Sequence, residues 1–135
     1  MKIVLSDPKS GRSASIDVPA ERTAQLLNLK IGDTFDGSAA GLAGYKLKVT
    51  GGSDRSGFPM KRGIDGTRKA KIFAMGGSKA RKSGQYSRRS ARGNTTSVDI
   101  EQLNTVIVEY GDRPVDEIFP KKAEATKDVP EQAKA

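Results

Sequence analysis

The chain has 135 residues, a formal net charge of +8, and neither cysteine nor histidine. This length is typical of one domain, and the missing residue types exclude disulfides, a thiol nucleophile, a zinc site built on Cys or His, and the commonest general base. The longest apolar runs fall far short of the roughly 20 residues that span a bilayer, and the apolar start is too short for a secretory signal. We therefore expect a cytoplasmic protein without a membrane partner, a cofactor, a metal ion or a small-molecule substrate.

The first elements in the chain are a predicted hairpin and a short helix. Residues 2–6 are apolar enough for a strand, and residues 13–18 alternate in the manner of a second strand after a turn that contains Pro and Gly. Ala20, Ala24 and Leu27 recur at helical spacing, which predicts that they share one face of a helix.

The middle of the chain contains two further predicted strands and then changes in character. Residues 34–36 form a brief candidate strand, and residues 45–50 alternate between large apolar and polar side chains, which predicts a strand with one wet face. Gly51 and Gly52 are predicted to end that strand. In the glycine-rich stretch that follows, residues 71–75 are the one segment with a strand-like pattern.

The last part of the ordered chain is predicted to be another β pair followed by one helical turn. Residues 95–100 and 105–110 form the pair, and residues 114–119 form the turn. Residues 120–135 bury too little apolar surface to offset their ordering entropy, so we predict a disordered tail. We expect residues 1–119 to be one mostly-β domain, a small β-barrel with one or two short helices and glycine-rich basic loops.

The strongest functional signal is the concentration of positive charge in residues 55–92. This segment contains one acid, Asp65, and twelve basic residues: Arg55, Lys61, Arg62, Arg68, Lys69, Lys71, Lys79, Arg81, Lys82, Arg88, Arg89 and Arg92. Twelve minus one gives +11, which exceeds the +8 of the whole chain, so the remainder is slightly acidic. Charge this localised repels itself unless a polyanion is near. Arginine and lysine bind phosphate oxygens, and glycine lets the main chain approach a phosphate backbone closely. This combination indicates nucleic-acid binding.

Three aromatic residues are interleaved with these charges and are candidates for stacking on bases. Phe73 lies in an apolar run, so we assign it to the core, and Phe58 precedes Pro59 and is expected to pack as well. Tyr86 is the remaining stacking candidate.

The carboxylates of the segment are interpreted as turn formers. The loop at residues 51–57 lacks the Gly-Lys-Ser/Thr ending of a nucleotide P-loop. Asp54 and Asp65 have the residue type for Mg²⁺-assisted phosphodiester chemistry. Because both stand near glycines, hydrogen bonding of Asp54 to backbone amides is the preferred interpretation.

At this point the sequence resembles a known family. The string GGSDRSGFPMKRG at residues 51–63 is similar to the signature of the small-subunit ribosomal protein S6e family. The Arg-rich stretch at residues 88–93 and the strand at residues 104–108 followed by Gly111 are similar to further family segments. Two features depart from the family pattern: residues 79–87 lack the usual dense Pro, Arg and Glu-Arg run, and Ala91 replaces the usual Val.

The resemblance implies a non-enzymatic constituent of the small (30S) ribosomal subunit, of archaeal length. Its implied partners are 16S-type rRNA and neighbouring small-subunit ribosomal proteins. The twelve basic residues and Tyr86 form the candidate rRNA-binding set, with counterion release as the driving force and RNA shape as the source of specificity.

Two other functions fit the charge pattern. One is a stand-alone small β-barrel that binds DNA or RNA, as a chromatin or RNA-processing factor. The other is an RNA-modifying or RNA-cleaving enzyme, which would depend on Asp54, Asp65, Tyr86 or a lysine. Sedimentation with small subunits after a high-salt wash separates the first from a ribosomal protein.

Overall fold

The computed structural model describes residues 1–75 and 84–119, which contain seven strands and two short α-helices. In chain order they are β1 (Lys2–Ser6), β2 (Ser13–Asp17), α1 (Ala20–Thr23), β3 (Thr34–Asp36), β4 (Lys46–Asp54), β5 (Lys69–Met75), β6 (Tyr86–Arg92), β7 (Ile100–Glu109) and α2 (Val115–Ile118). Single 3-10 turns lie at Ala24–Leu26 and Gly37–Ala40.

Five of the strands form one sheet with the order β2-β1-β7-β4-β3. The pair β1 and β7 is parallel, and the other neighbours are antiparallel. Strands β5 and β6 form a separate two-stranded antiparallel ribbon. The mostly-β fold with two short helices is confirmed. The described strand pairings do not close the sheet into a barrel, so the barrel stays a prediction.

The core lies on one face of the five-stranded sheet. Alternate positions of the central strands point inward, as the period of two requires. The core side chains with no exposed surface are Ile3, Leu5, Leu26, Tyr45, Leu47, Val49 and Leu103, and Phe119 is also fully buried there. No ribbon residue belongs to this core cluster. The sheet is therefore the scaffold, and the ribbon is an attachment to it.

A polar cluster ties the turn after β1 to the end of β7. The Asp7 carboxylate is buried and accepts hydrogen bonds from the Ser10 hydroxyl (2.6 Å) and the Tyr110 hydroxyl (2.5 Å). These two hydrogen bonds lower the pKa of Asp7 to about 2. The hydrogen bond to Asp7 raises the pKa of Tyr110 to about 12. The Lys9 ammonium lies 4.1 Å from the centre of the Tyr110 ring.

Several predicted elements are confirmed at or near their bounds. The hairpin β1–β2, the brief strand β3, the alternation in β4 and the helical turn α2 all occur. The predicted helical face was wrong. Leu26 is fully buried, whereas Leu27 is half-buried. The reason is that the helix tightens into a 3-10 turn after Thr23, where residues on the same face are three positions apart.

Two predicted boundaries in the sheet were wrong. Gly51 and Gly52 do not end β4, which continues to Asp54 through irregularities in its pairing with β7. The extra residue of the first irregularity is Thr50, and both glycines are regularly paired with β7, so the strand passes through them. The predicted strand at residues 95–100 is a loop and turn with one bridge at Thr95, whereas the predicted strand at residues 105–110 starts earlier, as β7. The early part of β7 was missed because it contains the polar residues Gln102 and Asn104, which hydrogen-bond to each other at 2.9 Å.

Strand β6 was missed by the sequence analysis, which placed a single strand in residues 51–93. Its sequence, YSRRSAR, has little intrinsic strand propensity, so pairing with β5 decides its conformation. No helix within the described ranges is long and apolar enough to cross a membrane. The predicted disordered tail at residues 120–135 lies outside the described residues.

Candidate nucleic-acid interface

A tight turn after β4 begins the basic segment. The amide of Phe58 donates to Asp54 Oδ1 at 2.8 Å, and the amide of Gly57 donates to the Asp54 carbonyl at 3.0 Å. Gly57 has a φ of +83°, a left-handed conformation that glycine adopts without strain. The hydrogen bonding of Asp54 to backbone amides, predicted from the sequence, is confirmed.

The residues after this turn attach the ribbon to the sheet. The amide of Arg92 donates to the Pro59 carbonyl at 2.9 Å, and the amide of Lys61 donates to the Arg92 carbonyl at 3.0 Å. On the sheet side, the amide of Met60 donates to the Gly52 carbonyl at 2.9 Å. The short segment from Pro59 to Lys61 therefore contacts both the sheet and the end of the ribbon.

Gly52 permits the close approach of three chain segments. A Cβ atom at this position would lie 2.5 Å from the carbonyl oxygen of Gln102 and 3.0 Å from Met60 Sδ. A Cβ at the neighbouring Gly51 would meet nothing within 4 Å. The first glycine of the pair is therefore sterically free, and the second is required by packing.

An ion pair at the base of the ribbon joins Arg92 to Asp54. Arg92 Nε donates to Asp54 Oδ2 at 2.9 Å, and the two side chains are 17% and 2% exposed. Burial alone would raise the pKa of Asp54, but the hydrogen bonds from Arg92 and the Phe58 amide outweigh it and lower that pKa below its usual value. Arg92 Nη1 also lies 3.4 Å from Asp99 Oδ2. The Arg92 guanidinium is therefore paired inside the protein.

Asn94 organises the loop that carries Arg62. Its side-chain amide nitrogen donates to Asp65 Oδ1 at 3.1 Å and to the Arg62 carbonyl at 3.4 Å, while its oxygen accepts from the Gly66 amide at 3.3 Å. Asn94 is buried, and the side chains of Arg62 and Asp65 are exposed. Sequence reasoning missed this residue, because a lone asparagine beside a glycine carries no signal of its partners.

The structure places the other candidate cations on the surface. The exposed members within the described ranges are Arg55, Lys61, Arg62, Arg68, Lys69, Lys71, Arg88 and Arg89. Arg55 Nε lies 3.6 Å from Glu101 Oε2, and an exposed ion pair of this kind contributes little to stability. The seven others form no ion pair with any described acid. Lys79, Arg81 and Lys82 lie outside the described residues.

One of the three aromatic side chains of the segment is placed differently from the prediction. Phe73 was assigned to the core but is 77% exposed, so that assignment was wrong. The signal was present in β5, because Phe73 has the same parity as Lys69 and Lys71 and must share their wet face. Phe58 is partly buried, with Lys69 Nζ 4.1 Å from its ring centre. Tyr86 is 63% exposed.

The two carboxylates considered for metal-assisted chemistry are engaged in hydrogen bonds. No group of three or more acidic side chains that could hold a metal ion occurs in residues 1–75 and 84–119. Asp54 is occupied by Arg92, and Asp65 accepts a hydrogen bond from Asn94. Both predicted turn-forming carboxylates thus have structural partners.

A β-sheet scaffold that carries a cationic ribbon is typical of basic proteins that bind polyanions. The family model described as Ribosomal protein S6e matches residues 1–120, and the chain belongs to this family of structural, non-enzymatic ribosomal proteins. Its membership confirms the predicted family, the expectation that the chain is not an enzyme, and the cytoplasmic, ribosomal location.

Curated archaeal relatives agree with this membership. The chain is 46% identical over 120 residues to the small ribosomal subunit protein eS6 of Methanothermobacter thermautotrophicus, covering 87% of this chain and 94% of the relative. It is 45% identical over 119 residues to eS6 of Nanoarchaeum equitans, covering 88% of this chain and 89% of that one. The identity to eS6 of Methanocaldococcus jannaschii is 44% over 120 residues, covering 87% and 89%.

Proposed function

We propose that this chain is a structural constituent of the small ribosomal subunit and that it binds 16S-type rRNA through its basic segment. The rRNA-binding unit is the predicted domain of residues 1–119, and neighbouring small-subunit proteins are its further partners. Family membership and the names of the archaeal relatives support the subunit assignment. Barrel closure of this domain remains part of the prediction.

The observation that carries the proposal is the set of unpaired cations around the ribbon. Seven exposed lysine and arginine side chains lie in this region without a described acidic partner. Lysine and arginine that neutralise phosphates release condensed counterions, which favours binding. The cations lie on the segment between β4 and β5 and on strands β5 and β6, so one part of the fold carries all seven.

Not every residue of the candidate set has the same role in this proposal. Arg88 and Arg89 are adjacent on β6 and point to opposite faces of the ribbon, so they can reach phosphates on both sides. Arg92 is held by Asp54, and we assign it the positioning of the ribbon on the sheet. Lys79, Arg81, Lys82 and Tyr86 complete the candidate set as predicted.

The test compares two charge-matched double variants in binding to small-subunit rRNA at several salt concentrations. For six to eight neutralised phosphates, we expect log K of the parent chain to fall with log[salt] with a slope of about −4 to −7. Arg88→Ala with Arg89→Ala should reduce the magnitude of that slope by about 2 and weaken binding at all salts. The control, Lys2→Ala with Lys48→Ala, removes two exposed lysines outside the basic segment.

The control variant should bind as the parent does. A flat salt titration of the parent, or equal losses in the two double variants, would contradict binding through this segment. Co-sedimentation with small subunits after a high-salt wash tests the subunit assignment, and a chain released by that wash would favour the stand-alone nucleic-acid-binding protein.

A further inference from the structure

Three large apolar side chains on the ribbon are exposed to solvent. Phe73 is 77% exposed, Tyr86 63% and Met75 42%. The chain contains four phenylalanines and three tyrosines in all, so two of seven aromatic residues stand on one short ribbon. Exposed aromatic surface is unfavourable in water, and its concentration on one element marks a surface that something else covers.

The strand register places these side chains on the same face. Phe73 pairs with Arg88, and Met75 pairs with Tyr86; directly opposed residues of an antiparallel pair project to the same side. Lys71 precedes Phe73 by two residues and shares that side. We call this surface the outer ribbon face, defined by Lys71, Phe73, Met75, Tyr86 and Arg88.

The opposite side of the ribbon already faces the body of the protein. Ile72 and Ala74 line a cleft of about 490 Å³ together with Phe58 and Pro59 of the turn after β4. Phe73, Tyr86 and Arg88 of the outer ribbon face do not line this cleft, because they alternate with the inward residues, whereas Met75 at the end of β5 also lines it. Phe73 therefore stays exposed, and none of the described residues covers it.

The charge of the outer ribbon face selects among partners. A second copy of the chain would bring Lys71 and Arg88 against identical cations, which is repulsive. An occupant with flat apolar surfaces and a negative backbone complements both components, and unpaired nucleotides have this chemistry. Bases stack on aromatic side chains, and guanidinium and ammonium groups bind the adjoining phosphates.

We propose that the outer ribbon face is a stacking platform for unpaired bases of rRNA. This inference rests on the proposed rRNA binding and specifies its mode: Phe73 and Tyr86 supply the aromatic surfaces, and Lys71 and Arg88 bind the flanking phosphates. Paired bases of an A-form helix are stacked on each other and their faces are not available, so the platform requires a bulge, a loop or a strand end.

The test uses the full chain and two RNAs that share one stem and one compact, internally stacked terminal loop. The looped hairpin has an internal loop of unpaired adenosines, and the paired hairpin has complementary bases at those positions. Phe73→Ala and Tyr86→Ala should each weaken binding to the looped hairpin by about 5- to 100-fold. Binding to the paired hairpin and the salt slope should stay as in the parent. Val98→Ala removes another exposed apolar side chain, 67% exposed and outside the ribbon, and should change neither affinity.

A spectroscopic variant observes the stacking directly. The chain has no tryptophan, so Phe73→Trp introduces a single indole at the platform. We expect this variant to retain the parent affinity and its fluorescence to be quenched by the looped hairpin more strongly than by the paired one.

The failures of the two proposals are distinguishable. If Phe73→Ala and Tyr86→Ala bind both hairpins as the parent does while Arg88→Ala with Arg89→Ala loses affinity for both, the platform is wrong and rRNA binding stands. If the aromatic variants bind RNA normally but no longer remain on small subunits after a high-salt wash, a protein covers the face and the inference is overturned. If the parent binds neither hairpin, both proposals fail.

Discussion

Replacement of Arg92 by alanine should destabilise the fold, whereas replacement of Arg89 should not. Arg92 Nε donates to the nearly inaccessible carboxylate of Asp54 at 2.9 Å, and Arg89 is an exposed side chain three residues earlier on the same strand. Arg92→Ala leaves the buried negative charge of Asp54 without its cationic partner. It also releases the contact between the ribbon and the end of β4.

The magnitude follows from the geometry of the pair. A hydrogen bond to a charged group contributes about 1.5–3 kcal/mol, and loss of one partner of a fully buried ion pair costs about 3–5 kcal/mol. Because Arg92 is 17% exposed, water can replace part of the interaction, and we expect a loss of about 2–3 kcal/mol in the free energy of unfolding. For a domain of this size, that corresponds to a decrease in Tm of about 10 °C.

Thermal unfolding followed by circular dichroism measures this difference. Arg89→Ala is the matched control: an exposed arginine to alanine change should shift stability by no more than about 0.5 kcal/mol. Arg92→Lys should recover only part of the loss, because an ammonium lacks the planar donor geometry of the guanidinium. If Arg92→Ala and Arg89→Ala melted at the same temperature, the ion pair would not hold the ribbon to the sheet.

Two further substitutions should change stability in a direction that the structure determines. The pKa of Asp7 is lowered to about 2 by its hydrogen bonds from Ser10 and Tyr110, so Asp7 stabilises the fold above about pH 4 and this contribution is lost as the pH falls through 2. Asp7→Asn should therefore flatten the dependence of stability on pH between 4 and 2 in denaturant titrations, and an unchanged slope would count against this hydrogen-bonded carboxylate. Gly52→Ala should cost about 1–3 kcal/mol through overpacking, whereas Gly51→Ala has open space, and equal urea midpoints for the two variants would contradict the packing argument.

The elements that local pattern determines were predictable from the sequence. The alternation in β4 and the hairpin β1–β2 follow from periodicity and turn chemistry. The bounds of β4 and β7 were not predictable in the same way. A bulge at Thr50 followed by two glycines, and a polar pair on the outer face of β7, interrupt the sequence pattern without interrupting the strands. Strand β6 depends on its partner, since its own sequence does not favour a strand.

The sequence was enough to predict which residues form the candidate site, but only partly how they are arranged. Local charge density identified the segment, and most of its described cations are exposed. The difference between Arg89 and Arg92 depends on Asp54, which lies 38 residues before Arg92 in the chain, so no local pattern contains it. Phe73 was assigned to the core because its immediate neighbours are apolar. Its alternation with these neighbours instead places it on the same face as the lysines of β5.

The position of β7 in the sheet also determines the order in which the protein can fold. Strand β7 lies between β1 and β4 and is the last strand of the described chain to be synthesised. Val4 and Thr105, which share a hydrogen bond of 3.2 Å, are separated by 101 positions, and such non-local pairing slows folding. On a translating ribosome, the cationic ribbon is therefore complete before the strand that unites the sheet has been made. A nascent chain that ends before Ile100 contains every cation of the basic segment but lacks the central strand of its scaffold.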